Sequence, residues 1–394
     1  MKNYFTACIL SILTFLILTN PLSGKNHEIQ METTAKTIMT INPFRIDFDP
    51  MERLLLINFE KDPDSLYVGF EPQVFNDTIN GTGHLVIGWR VDGKVDVYHQ
   101  PGLKLDPEKY DIAGKGLANI IEHEMQGVFY ELNDRGVQAF YQFTDIIGRQ
   151  VILRISEKNP RKRKPFGLLA PMGAAAENPS ALPLIFLHDF YFVRKKHTEI
   201  EISIAGNFHK PDELPIPMDF RKMLFARYSP EPLIATLNPA FEGKLVEIEI
   251  IENSSVVTIG SETIELAWSA GSPAIKSITR QNDTYPVKLR FEPAFPDLAS
   301  LREISAIFGT FMIEAHPSTG QVSGTWSVVR IEGETIIKMT PSGGWKPRPN
   351  KLSLRFLYSI AKTFRQWPKS YEWTAKINES ENGGLLMNSR WERD

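Results

Sequence analysis

His188 and Asp189 are adjacent within "LPLIFLHDFYFV", Leu182 to Val193, where every other side chain is apolar or aromatic. A polar pair buried there without partners would be costly, so it needs either hydrogen bonds or a task. An imidazole changes charge near neutral pH and a carboxylate can orient it, so the two could serve as general base and orienter in proton transfer. His188 could also join His84, His99 or His209 around a metal ion. A second polar knot, Glu122, His123 and Glu124 in "IIEHEM", is less suited to chemistry, because neighbours on a strand point to opposite faces. Six histidines lie between His84 and His209 and only His316 beyond them, which favours the first half for any site. No phosphate loop, dinucleotide fingerprint, nucleophile elbow or zinc-protease spacing occurs, so no metal set and no cofactor is identified.

The other chemically marked stretch is "EKNPRKRKPFGLLAPMGAAAENPSALP", Glu157 to Pro183. Arg161, Lys162, Arg163 and Lys164 stand before a soft apolar tail. A similar stretch, "TPSGGWKPRPNK" from Thr340, carries Lys346 and Arg348 beside Trp345. Loops of this length in a compact protein are more often lids or contact surfaces than idle connections. Both are expected to face an anionic membrane surface or an acidic head group. Phe166 and Trp345 would sit at equivalent cavity mouths, with Phe190 and Phe192 lining the apolar interior.

The whole chain has 44 Lys and Arg against 47 Asp and Glu, a net charge of -3, so no global field points to nucleic acid as a partner. A hydrophobic content of 42% is that of a chain with a sizeable core. At the N-terminus a basic residue, an apolar run from Tyr4 to Leu18 and a small-residue segment read as a secretory signal over residues 1–24. A secreted or periplasmic location is expected, with an anchor formed by an uncleaved signal as the alternative. The single cysteine, Cys8, lies inside that run, so removal of the signal leaves no thiol for disulfides or cysteine chemistry.

The elements that must position these groups are strands. From Pro43 onward, short runs of Val, Ile, Phe, Tyr and Thr are separated by Gly, Asn, Asp and Pro turns, as in an all-β sandwich or barrel. "HLVIGWRVDGKVDVYH" reads as a hairpin with Asp92-Gly93 in a type I′ turn. "KLVEIEIIENSSVVTIGSETIELAWSA", from Lys244, reads as a meander with one wet and one buried face.

An internal repeat organises these strands. "GVQAFYQFTDIIGRQVILRISE" from Gly136 aligns with "GQVSGTWSVVRIEGETIIKMTP" from Gly320, setting Gly148 on Gly333 and Tyr141 on Trp326. The proline-rich His209 to Phe220 would link a first domain, 43–215, to a second, 224–394. In the second copy, Leu354, Leu357, Ile360 or Ala361, Phe364 and Trp367 have the spacing of an amphipathic helix ending at Pro368. The matching "LIFLHDFYFVRKK" fits either a buried helix or a strand.

A meander followed by a helix and a closing strand is the plan of a lipocalin-like barrel. On "GVQAFYQF", "SGTWSVVRIEG" and the repeat around them, the chain resembles the two-domain lipocalin-like proteins of the carotenoid hydratase or hydroxyneurosporene synthase type. The resemblance implies a mainly β fold of two related antiparallel barrels in tandem, each with a short helix. It implies no activity, because the Trp and acidic-His-Glu cluster expected of that family is not found here. The expected function is binding of an apolar or amphipathic small molecule such as a lipid, isoprenoid or pigment. The alternative is an enzyme, a hydratase, isomerase or hydrolase, using His188 and Asp189 on an apolar substrate.

Overall fold

A computed structural model describes residues 36–171, 176–218, 220–380 and 383–394. The expected signal segment, 1–24, lies outside the described residues, as does part of the apolar tail at 172–175. The described chain is mainly β, and no described helix is long and apolar enough to cross a membrane. Thr37–Asp394 make one compact unit.

The hairpin forms, with Gly81–Arg90 paired to Val95–His99. Its turn differs from the expected type I′, since Gly93 (φ 86°) has a positive φ while Asp92 does not. Arg90 N–H instead donates to Lys94 O across a three-residue loop, and Gly93 supplies the left-handed residue that such a loop requires.

The first large sheet runs, in spatial order, Ile46–Asp49, Leu233–Leu237, Leu182–Arg194, Met223–Ser229, Arg53–Asn58, Tyr67–Asp77, Gly81–Arg90, Val95–His99 and Leu117–Glu122, the last pair parallel. Phe166–Ala170 adds to Leu182–Arg194 from the other side. A five-stranded sheet that includes Gly136–Thr144, Gln150–Glu157 and Thr198–Ile204 packs on the first through a shared core of Phe70, Tyr98, Tyr141, Phe143 and Leu153. Two sheets sharing one core in this way fit the sandwich description. The residues expected to link two domains lead straight into Met223–Ser229 and Leu233–Leu237, which belong to this first sheet. Asp212, within the expected linker, accepts hydrogen bonds from the backbone of Glu60 and Lys61.

The second half is a sequential antiparallel meander from Val256–Ile259 to Leu385–Arg393, with Phe241–Lys244 on its far edge. Alternation holds along it. Val322, Trp326 and Val328 are buried, as are Ile337 and Met339, while Lys338 between them is exposed. Its inner face is filled by Trp326, Trp373, Trp391, Phe291 and Phe295, and by Phe44 from the N-terminal side, whose ring lies 4.8 Å from Phe291 and 4.7 Å from Phe295. Trp391 Nε1–H donates to Leu237 O and Asn238 O at 3.0 Å.

The repeat survives at its turns and fails along its strands. Gly148 and Gly333 both take positive φ (84° and 81°) between paired strands, and Tyr141 and Trp326 are both buried. Leu153, however, is buried where its counterpart Lys338 is exposed, so the two strands present opposite faces after the glycine. The final correspondence breaks as well. "LIFLHDFYFVR" lies in the strand Leu182–Arg194, whereas "LSLRFLYSI" is helix α1, Leu352–Ile360, followed by α2, Lys362–Gln366. β-Branched and aromatic residues suit the first to a buried strand. The expected short helix is therefore present in the second half, and the corresponding segment of the first half is extended.

Candidate functional site

His188 lies on Leu182–Arg194 with its side chain about 10% exposed. Its ring meets Tyr285 edge-on at 4.6 Å, and Tyr285 meets His316 in the same way at 4.6 Å, so a phenol bridges two imidazoles from distant parts of the chain. His316 caps the 3-10 turn Pro317–Thr319: its Nδ1 accepts from Ser318 N–H at 3.1 Å and lies 2.6 Å from Ser318 Oγ, which places the ring proton on Nε2. His188 Nδ1 is buried without a hydrogen-bond partner, and Nε2 lies 3.9 Å from Glu231. Asp189 is held by Tyr191, whose hydroxyl donates to it at 2.6 Å, and makes no hydrogen bond to His188. His84, His99 and His209 bond Tyr141 Oη, Gln100 O and Asp62 O respectively, away from His188.

Burial pushes the His188 pKa down, His316 pushes it further, and Asp189 and Glu231 partly offset this; burial alone lowers His316. Both rings are thus neutral in the fold at pH values where an unfolded imidazole has begun to take up protons. As pH falls through the unfolded value of about 6.5, the unfolded state binds more protons and stability is lost; above about 7 the contribution is fully present. The double variant His188→Gln/His316→Gln is expected to lose stability less steeply than the wild type between about pH 7 and 5, as measured by urea denaturation across that range.

The expected ligand-lining aromatics Phe166, Phe190 and Phe192 are instead core side chains, each at most 4% exposed, with Phe190 and Phe192 in edge contact at 5.1 Å. The basic run divides. Arg161, Lys162 and Lys164 are exposed, with Lys162 3.3 Å from Asp134 at the surface. Arg163 turns inward to Glu157, which is fully buried, at 3.0 Å, and also donates to Tyr228 Oη at 2.9 Å and to Phe192 O. It belongs to the core of the loop, not to a docking face.

Trp345 and Phe166 do not sit at separate mouths. Lys351 Nζ lies 4.4 Å above the Phe166 ring, and Tyr358 Oη on α1 donates to Gly167 O at 3.0 Å. A Cβ on Gly167 would lie 1.9 Å from Ser318 O, so only glycine permits this approach. The two stretches paired in the sequence therefore touch, through Lys351 and the buried Phe166.

Tyr358 also lines a basic groove. This open groove of about 890 Å³ runs between the end of the strand Glu334–Lys346, with the loop after it, and helices α1 and α2. Its floor is Trp345, Tyr358 and Phe364, with ring centroids 5.0–5.4 Å apart. Trp345 is fixed by donating to Thr319 O at 2.8 Å. Around the floor stand Arg348, Arg355, Arg365 and Lys369, and no carboxylate lines the groove. Burial pushes the Tyr358 hydroxyl well above its ordinary pKa, so it stays a neutral donor. The sequence carries a signal for this site: between Glu334 and Glu372 there are eight Lys and Arg and no Asp or Glu. Spacing motifs do not register such a run, because its residues are separated by the turns and helices that gather them.

A second groove of about 650 Å³, over Phe75 and Ile87, is rimmed by Asp47, Asp49, Asp106 and Glu108 against only Lys109 and Arg280 among its lining residues, so carboxylates outnumber cations there. Lys109 there already pairs with Asp49 at 2.6 Å. Compared with protein-family models, with curated proteins and with solved structures, the chain matches none.

Proposed function

We propose that the protein binds an anionic amphipathic small molecule, lipid-like in character, in the basic groove beside α1. The carrying observation is the combination of an aromatic floor with three arginines and a lysine and no lining carboxylate. Guanidinium groups make bidentate, charge-assisted hydrogen bonds to phosphate or carboxylate, and aromatic faces accept an acyl or isoprenoid chain. This keeps the amphipathic ligand anticipated from the sequence and moves it from a barrel interior to an outer groove. The packed inner face of the second-half meander supports that move. The reading requires neither that the two halves be related barrels nor that the ligand be enclosed. A secretory signal at residues 1–24 would make it an extracytoplasmic carrier.

Dodecyl phosphate, titrated calorimetrically below its critical micelle concentration, is expected to bind with one-site stoichiometry, and dodecyltrimethylammonium is expected not to bind. Equal binding of both probes would remove the charge argument on which the proposal rests.

The enzyme reading is favoured by one observation, the buried and unpartnered Nδ1 of His188. The base would be His188 with Tyr285 and His316 as neighbours, since Asp189 is engaged by Tyr191.

A further inference from the structure

Helix α1 is apolar on two sides. Leu354, Leu357 and Tyr358 are buried beneath it, as an amphipathic surface helix requires. On the outside, Leu352, Phe356 and Ile360 are 79%, 53% and 43% exposed. Their spacing of four residues aligns them in one strip along the helix. A helix that only covers a core carries polar residues at such positions. This one carries an apolar strip, and Arg355, next to Phe356 on the same helix, belongs to the groove that also gathers Arg348, Arg365 and Lys369.

We infer that α1 is a membrane-docking helix, which lies on an anionic phospholipid surface with Leu352, Phe356 and Ile360 inserted and the nearby cations on the head groups. The inference goes beyond the groove's proposed ligand and does not require the groove to be filled. Charge complementarity selects the occupant. The segment between Glu334 and Glu372 is purely basic, whereas the rest of the chain has 47 Asp and Glu against 36 Lys and Arg. An anionic bilayer attracts this face and repels the remainder, so the same charges that provide attraction also set orientation. A second copy of the chain would bring two basic faces together, which electrostatics disfavours. An exposed apolar strip together with nearby cations is the composition of helices that lie in the membrane plane.

The test uses the chain from residue 25 onward, because the apolar run at Tyr4 to Leu18 would itself enter bilayers, and Thr37–Asp394 form a compact unit. Sedimentation with vesicles of phosphatidylcholine and phosphatidylglycerol at seven to three is compared with pure phosphatidylcholine. The expected result is binding to the anionic vesicles alone, weakened by salt, and reduced about tenfold or more in Leu352→Ser/Phe356→Ser/Ile360→Ser. Phe220, the fully exposed aromatic beside Arg221 and Lys222, supplies a control. Phe220→Ser is expected to bind vesicles as the wild type does. Indifference to anionic lipid, no change in the triple variant, or loss confined to Phe220→Ser would each overturn the inference. Unfolding curves establish that each variant is folded. The triple variant is expected to keep its affinity for monomeric dodecyl phosphate. Loss of probe binding with vesicle binding intact would sink the groove reading alone.

Discussion

Replacing Arg163 with alanine is expected to destabilise the fold by about 3–5 kcal/mol, because it strands the fully buried Glu157 carboxylate without its cation. Arg163 is 8% exposed and stacks over Tyr191 and Tyr228, at 5.5 and 5.8 Å, as well as donating to Glu157, Tyr228 Oη and Phe192 O. The Arg194 N–H that also bonds Glu157 is a neutral backbone donor and does not neutralise a buried charge. Arg163→Lys is expected to fall between the wild type and alanine, since a lysine restores charge but not the planar fork. The neighbouring Arg161→Ala, Lys162→Ala and Lys164→Ala are expected to stay within about 0.5 kcal/mol of the wild type. Urea denaturation measures all of these. An Arg163→Ala protein as stable as the three neighbouring variants would show that this ion pair does not hold the loop.

The second large effect concerns the groove. Arg355→Glu/Arg365→Glu reverses two of its four cations, and both positions are exposed, so the fold should be unaffected. Charge-assisted hydrogen bonds contribute about 1.5–3 kcal/mol each, so loss of two with added repulsion is expected to weaken dodecyl phosphate binding about a hundredfold or more. Lys338→Glu, which reverses a single cation, is the control to be set beside each of Arg355→Glu and Arg365→Glu alone. It lies within the same basic segment but on the outer face of the meander, 2.6 Å from Glu372 and away from the groove lining. An equal loss in that control would mean that net charge, not the groove, governs binding.

Local pattern carried the sequence reading a long way. Alternation identified the strands, the Asp92-Gly93 turn marked the hairpin, and Pro368 marked the end of the helical segment. The division of "PRKRKP" into one buried and three exposed cations was not legible, because nothing in four like residues says which one will face a glutamate. Leu354 and Leu357 take the buried face as their spacing indicates, whereas Ile360, four residues beyond Phe356, falls on the exposed strip. The partners of His188 were equally hidden. Tyr285 and His316 come to it from connections between strands of the second half, a long-range contact that no local spacing encodes. The repeat misled in a physically specific way: its turns match, but a change of strand phase after Gly148 and Gly333 turns matched residues to opposite faces.

The most direct measurement is amide hydrogen exchange of the chain from residue 25 onward, with and without monomeric dodecyl phosphate. The expected result is added protection confined to α1, α2 and the strand end carrying Trp345 with the loop carrying Arg348, with little change over Phe75, Ile87 and Lys109 in the other groove. Protection over Phe75, Ile87 and Lys109 instead, or none anywhere at saturating probe, would contradict the assignment of the basic groove as the binding site.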